Sequence, residues 1–152
     1  MIKVAQETDP VALMTMFVGF IRALYQIHQD AHWKVMGNNF YGNHLLFQRL
    51  YEAAQVSADE AAEKTIGLFG ELPDTNKLIK EISDKFNPDN FDGNIITASL
   101  KAEQTFLALA ETIYDRIKKL EAMTLGLDDL IMAIASRHEV HVYLLKRMLS
   151  DK

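Results

Sequence analysis

The chain of 152 residues contains no cysteine and fewer basic than acidic side chains. The lack of cysteine excludes disulfides, thiolate zinc sites and cysteine nucleophiles, so any metal must be bound through nitrogen and oxygen atoms. The formal net charge of -5 argues against nucleic acid as the main partner, because such binding depends on Lys and Arg neutralising phosphates. The sequence also lacks internal repeats and the glycine-rich loops that bind nucleotides.

Long hydrophobic runs are also missing. No stretch approaches the roughly 20 apolar residues of a membrane helix, and the first residues, MIKVAQETDP, contain no apolar segment of a secretion signal. We therefore expect a cytoplasmic protein that does not enter a membrane. With 49% hydrophobic residues the chain can bury a substantial core, and we expect a single domain over residues 1–152.

Apolar residues recur at alternating spacings of three and four, which predicts long helices. The first predicted helix runs from Pro10, with Asp9 as its cap, to about Val35. The second covers about residues 40–69 and the third about residues 95–121, and the fourth follows Gly126. Residues 71–94 are rich in Pro, Asn, Asp and Gly but contain a brief amphipathic pattern. We predict an all-α, ferritin-like four-helix bundle with a long crossover carrying a short helix between helices two and three.

The turn between the first two helices contains Gly37, which ends one helix, and Asn38 or Asn39, either of which can cap the next. A short connection makes the two helices antiparallel neighbours, so His32 and His44 should lie on either side of the turn. Their rings could converge on one metal ion, since imidazole suits iron, zinc or copper.

One face of the second helix is polar throughout. This stripe is either a solvated face or a row of ligands, in which Asp59 and Glu63, four residues apart, could hold a second ion or share the first. The helix places His44 and Asp59 about 22 Å apart, at about 1.5 Å per residue. One site could use all four residues only if a second copy packed antiparallel across this helix. The stripe consists of His44, Gln48, Glu52, Gln55, Asp59 and Glu63.

A di-iron centre inside the bundle would require Glu-x-x-His in each of two helices, and no Glu in this sequence has His three residues later. We therefore expect any metal to lie elsewhere. His28 could form a separate site with His32, but a histidine at the edge of an apolar face is more often packed or hydrogen-bonded. For the same reason we favour packing over metal binding for His138 and His141.

Three stretches of the sequence resemble the Dps family, the DNA-protection-during-starvation branch of the ferritin-like proteins. They are "AHWKVMGNNFYGNH", "DEAAEK" and "HEVHVYLLKRML". The resemblance implies a hollow homo-oligomer, a dodecamer built from twofold dimers. It further implies a ferroxidase that binds iron, oxidises Fe(II) preferably with hydrogen peroxide, and stores ferric mineral. His32 and His44 of one subunit would then bind iron together with Asp59 and Glu63 of its neighbour, and zinc or another divalent metal could also fit these ligands.

One position departs from the family pattern, since Gln48 stands where an Asp is usual. The neutral side chain adds no charge for Fe(II), so we expect a weakened site unless Glu52 compensates. Trp33 could fill a core or an interface or quench radicals, and filling is the simpler interpretation. Asp128 and Asp129 either stabilise the start of the last helix or line an acidic pore.

Two other functions fit the same sequence. The chain could be a DNA-coating shell protein with little catalysis, or an oligomeric helical scaffold without redox activity. Many Dps proteins bind DNA through lysine-rich tails, whereas the first ten residues here contain only Lys3 and the chain ends with "SDK". We therefore expect weak DNA binding at physiological salt.

Overall fold

A computed structural model describes residues 4–150, and this part of the chain is helical and contains no strand. Two 3-10 helices, Val4–Gln6 and Pro88–Phe91, accompany the α-helices. The predicted four-helix bundle is confirmed, because the four long helices pack together and the short one lies in the crossover. The α-helices are α1 (Pro10–Lys34), α2 (Phe40–Phe69), α3 (Asn76–Lys85), α4 (Ile95–Lys119) and α5 (Leu125–Leu149).

The core lies between the four long helices. Helix α1 contacts α2 and α4, and α5 also contacts both α2 and α4. Phe17 of α1 and Phe106 of α4 are fully buried, with ring centroids 5.4 Å apart. Ala61 of α2 and Ile134 of α5 belong to the same buried cluster. A charged group in this apolar interior would therefore be unusual.

The helix ends follow the capping residues, with a few differences from the sequence prediction. Asp9 caps α1 by accepting from the backbone N–H of Val11. Asn39 occupies the N-cap position of α2, but its side chain makes no capping hydrogen bond. Helix α4 ends at Lys119, two residues before its predicted end, and Glu121 beyond it adopts a left-handed conformation with a φ of 58°. Thr124 caps α5 by accepting from Leu127 N–H, so Gly126 lies inside the helix.

The crossover packs on α1 at Gly19. A Cβ atom at this position would lie 2.5 Å from Cδ2 of Leu78 in α3, so the absence of a side chain allows the close approach. Because α2 packs on α1 and α5 while α3 lies on α1, the remaining face of α2 is open in the single chain.

Helix α1 is long and apolar enough to cross a membrane by length and composition. The expectation that no stretch of the sequence approaches a membrane span is therefore wrong for the length and composition of α1. Its apolar side chains, among them Leu13, Phe17 and Leu24, are fully buried in the bundle. A mostly buried core helix passes the same length and composition test, and packing accounts for the apolar character of α1.

Candidate metal centre

The end of α1 and the start of α2 are joined by two reciprocal hydrogen bonds. The His32 ring donates through Nδ1 to the carbonyl oxygen of His44, at 2.7 Å, and the His44 ring donates through Nδ1 to the carbonyl oxygen of His32, at 2.8 Å. A carbonyl oxygen only accepts, so Nδ1 carries the hydrogen in both rings. The structure therefore brings these two histidines together across the short turn.

The two imidazoles are held face to face. Their ring centroids are 3.6 Å apart and their planes differ by 19°. Phe40 stacks on His44, and the ring of Tyr51 meets His32 edge-on. His32 is 9% exposed and His44 is half-buried, so both rings lie at the border between the hairpin and solvent.

This arrangement leaves Nε2 of each ring as the atom that can bind a metal. Hydrogen bonding through Nδ1 to a carbonyl is the arrangement that fixes the tautomer of metal-binding histidines. An ion binds in the plane of an imidazole, and two stacked rings whose centroids are 3.6 Å apart and whose planes differ by only 19° do not direct their Nε2 atoms toward one common point. The rings as they lie therefore favour one ion for each histidine over a single shared ion.

The stripe on α2 is accessible along most of its length. Gln48 is half-buried and donates through Nε2 to Oε1 of Glu52, at 2.9 Å. Asp59 and Glu63 are exposed, and neither makes an ion pair within residues 4–150. The carboxylate between them differs, since Glu60 turns toward α5 and pairs with Arg137 at 2.9 Å. Asp59 and Glu63 are thus the unpaired acids at this end of the helix.

Within one chain the four predicted ligands form two separate groups. His44 and Asp59 belong to one uninterrupted helix, so their separation along the axis is about 22 Å. A single metal ion, with ligand bonds of about 2.0–2.2 Å, cannot bind both. The half with His32 and His44 and the half with Asp59 and Glu63 lie toward opposite ends of α2.

Large apolar side chains are exposed near the histidines and along α2. Trp33 is 64% exposed and Tyr41 is 71% exposed. Trp33 therefore does not fill the core of the chain, and its interface and quenching roles stay predictions. Apolar area of this kind is typical of a surface that contacts another protein. Further exposed residues of this group are Met36, Phe40, Leu45, Val56 and Ile66.

A second cluster, which the sequence analysis missed, lies in the bundle interior around Glu103 of α4. The carboxylate is fully buried and accepts from three histidines, which are themselves 0 to 3% exposed. His28 Nε2 donates to Oε1 at 2.7 Å, and His141 Nδ1 donates to the same oxygen at 2.9 Å. His138 Nδ1 donates to Oε2 at 2.6 Å. The three histidines are buried and hydrogen-bonded, as the more common alternative predicts, but their shared partner was not foreseen.

The neighbours of Glu103 determine its charge. Burial raises the pKa of Glu103, but the adjacent His138 and the hydrogen bonds from all three histidines together hold this pKa well below its usual range. Burial also lowers the pKa of His141 below its ordinary value of 6.5, although Glu103 acts in the opposite direction. The cluster therefore holds an ionised carboxylate in the core.

The sequence does contain a signal for this cluster. Glu103 precedes Phe106 by three residues and so lies on the apolar face of α4, where a charged side chain is out of place. His28 follows Leu24 by four residues on α1, and His138 follows Ile134 by four on α5. Polar residues on the buried faces of three helices require partners in the core. Together they predict a buried network.

The two acidic residues near the start of α5 differ in their surroundings. Asp128 lies in the first helical turn and is half-buried, with Oδ1 lacking a hydrogen-bond partner. Asp129 is exposed. Stabilisation of the helix start therefore fits Asp128 better than Asp129, and a pore formed by either residue stays a prediction.

Comparison with solved structures places this geometry in a known fold. Dps from Listeria innocua superposes with a TM-score of 0.80 at 17% identity, covering 98% of this chain and 97% of that one. Dps from Microbacterium arborescens gives 0.76 at 22% identity, covering 99% and 97%. The chain has the Dps fold. Dps from Thermosynechococcus elongatus agrees, with 0.78 at 16% identity, covering 94% and 91%.

The resemblance noted in the sequence is thus confirmed for the fold. By sequence alone the chain matches no family model and no curated protein. At 15 to 22% identity to the Dps structures, the chemistry has to be argued from its own side chains.

Proposed function

We propose that the chain is an iron-storage ferroxidase that binds Fe(II) between two subunits, oxidises it preferably with hydrogen peroxide, and deposits ferric mineral in a hollow dodecamer. This activity would limit peroxide and hydroxyl-radical damage. The observation that carries the proposal is the pair of reciprocal hydrogen bonds between His32 and His44. They occupy Nδ1 of each ring and leave Nε2 available to bind a metal at the edge of the open face of α2.

The donor chemistry supports iron as the substrate. Imidazole nitrogens combined with carboxylates suit Fe(II) and other first-row ions, whereas Ca²⁺ and Mg²⁺ prefer all-oxygen sites. His32 and His44 would supply nitrogen ligands from one subunit, and Asp59 and Glu63 would supply carboxylates from the other. Zinc could occupy the same ligands without redox chemistry.

The surface of α2 supports a twofold assembly. If two copies of α2 lie antiparallel, the histidine end of each helix meets the acidic end of the other, and each dimer contains two equivalent sites. The exposed apolar residues along the same helix, such as Leu45 and Val56, would provide the buried area of that contact.

The compared proteins add support of a more general kind. The Dps of Microbacterium arborescens has been solved in a high iron form, and that of Listeria innocua after soaking with cobalt. The Dps of Vibrio cholerae is described as a member of a superfamily of ferritin-like diiron-carboxylate proteins. A cysteine-free chain of this fold agrees with our proposal that it works in the cytoplasm.

The shared site can be tested by complementation between two defective chains. One carries His32→Ala and His44→Ala, and the other carries Asp59→Ala and Glu63→Ala. Each parent should oxidise Fe(II) with peroxide slowly, whereas dimers refolded from a mixture should regain one intact site of two. A matched control is Glu111→Gln, which removes an exposed carboxylate from α4 and should leave oxidation unchanged. Mixtures no faster than either parent would contradict the proposal.

The two other functions predict different results. A DNA-coating shell would retard duplex DNA at about 150 mM salt, where nonspecific binding requires several phosphate contacts. A scaffold would neither oxidise iron nor bind DNA. The residues relevant to terminal DNA contacts, Lys3 and Lys152, lie outside the described part of the chain. The net charge of -5 favours weak binding.

A further inference from the structure

We propose that Glu103, His28 and His141 form a second metal site, inside each bundle, that takes one divalent first-row transition ion. This site is separate from the proposed intersubunit site and does not depend on it. His28 lies one helical turn before His32, about 6 Å along α1, and belongs to the core, whereas His32 lies at its edge.

The first argument is geometric. One potential ligand atom from each of the three residues lies within 4.8 Å of the other two. The His28 and His141 nitrogens are 2.7 and 2.9 Å from the same oxygen of Glu103. A tetrahedral ion with bonds of about 2.0–2.2 Å separates its ligands by about 3.3–3.6 Å. Each of these two nitrogen–oxygen distances would have to open by less than about 1 Å to admit the ion.

The second argument comes from polar atoms without partners. His28 Nδ1 and His138 Nε2 are buried and have no hydrogen-bond partner. Hydrogen bonding within the protein therefore does not satisfy this cluster, although buried polar atoms are normally paired. His28 Nδ1 is the ring nitrogen opposite the one that faces Glu103, and because no donor occupies it, it can carry the ring hydrogen while Nε2 binds an ion.

The third argument is charge. The core around the cluster is apolar, and the ion pairs that Glu103 makes are with histidines alone. A buried carboxylate is costly, and a bound dication compensates it more fully than neutral N–H donors do. His138 does not need to bind the ion, because its hydrogen bond to Oε2 orients the carboxylate in the way that outer partners of metal ligands do.

The ligand set defines the class of metal. Two imidazoles and one carboxylate leave at least one position for water or for His138, which suits Zn²⁺, Co²⁺ or Fe²⁺. The single carboxylate does not match a di-iron centre, which uses a glutamate from each of the four helices. The prediction that such a centre is absent therefore remains compatible with a mononuclear site at this position.

Co²⁺ is a suitable probe because its visible spectrum reports the ligand geometry. The intersubunit ligands are first removed with His32→Ala, His44→Ala, Asp59→Asn and Glu63→Gln. We expect this chain to bind one Co²⁺ per subunit, measured by equilibrium dialysis, with absorption typical of four- or five-coordinate nitrogen and oxygen ligands. Adding Glu103→Gln should abolish that binding, whereas Glu111→Gln on the same helix should retain it. No bound Co²⁺ before Glu103 is changed, or binding unaffected by Glu103→Gln, would overturn the proposal.

A second measurement covers the case in which Glu103→Gln prevents folding. Thermal unfolding of the chain lacking only the intersubunit ligands is compared in Zn²⁺ and in EDTA. A ligand that binds only the folded state raises Tm, by about 5 °C or more at a hundredfold excess over Kd. The same Tm in both solutions would overturn the proposal, whatever the behaviour of the Glu103 variant.

Discussion

His32 and His44 each donate a hydrogen bond from ring Nδ1 to the backbone oxygen of the other, so two hydrogen bonds connect the end of α1 to the start of α2. This pair of bonds has a structural role and a role in metal binding. It closes the hairpin, and it leaves the second nitrogen of each ring free. The following predictions begin with this pair.

Substituting His44→Ala should affect stability and iron chemistry separately. The loss of one hydrogen bond to His32 O should cost about 1 kcal/mol of unfolding free energy, measured in urea. Fe(II) oxidation with peroxide should fall by at least about tenfold, because a ligand is lost and even the loss of an outer partner typically costs about that much. Gln26→Ala, an exposed change on α1, is the control for both measurements. A loss of stability with an unchanged oxidation rate would mean that His44 only stabilises the connection between α1 and α2.

Gln48→Asp should tighten Fe(II) binding and accelerate peroxide-driven oxidation, because it adds a negative charge one turn from His44. It also removes the hydrogen bond to Glu52 and places two acids four residues apart, so slight destabilisation should accompany the gain. Anaerobic iron stoichiometry and oxidation rates test this. Ala108→Asp adds the same charge on the exposed face of α4, away from all four proposed ligands, and should have little effect. Equal responses of the two variants would show that only the overall charge matters.

Gly19→Ala should loosen the crossover, because its Cβ would lie 2.5 Å from Leu78. Overpacking costs about 1–3 kcal/mol, and the better helix propensity of alanine offsets up to about 1 kcal/mol of this, so we expect a net loss of up to about 2 kcal/mol in unfolding free energy. Gly67→Ala is the matched control, since its Cβ would have nothing within 4 Å and alanine favours the helix. Combining Gly19→Ala with Leu78→Ala should recover part of the lost unfolding free energy. If it does not, the destabilisation does not come from the contact with Leu78.

The metal-free protein should become less stable as the pH falls below about 6.5. The pKa of His141 is lower in the fold than its ordinary value of 6.5, so the unfolded chain binds protons first and unfolding is favoured. Glu103, whose pKa is also lowered, adds a further loss below about pH 4.5. Urea midpoints measured in EDTA from pH 8 to pH 4 test this. His141→Gln should flatten the curve just below pH 6.5, and an unchanged slope there would contradict the role given to His141.

The spacing of apolar residues was sufficient to predict the helices, because each long helix must bury one face. The short turn with Gly37 was likewise sufficient to predict that His32 and His44 meet. The helix ends were predicted less accurately. At α4 the left-handed conformation of Glu121 ends the helix earlier than the apolar pattern predicts. The pairing of two chains across α2 remains a prediction.

The interior cluster was missed for a different reason. Glu103 and His28 are 75 positions apart, so their contact depends on how α1 and α4 pack. Each histidine alone resembles an ordinary packed residue. Only the polar residues on three apolar faces, considered together, indicate a network, and local sequence patterns do not specify which residues meet in the core.

The position of Glu103 also bears on how the bundle comes apart. Its carboxylate accepts hydrogen bonds from His28 of α1 and from His138 and His141 of α5. If either helix detached alone, the buried carboxylate would lose some of its hydrogen-bond donors. Partial opening of α1 or α5 is therefore penalised, and both should separate from α4 in one cooperative event. Amide hydrogens near these residues would then exchange only by global unfolding, whereas α3, anchored by Ile79 and Ile82, would exchange through local opening.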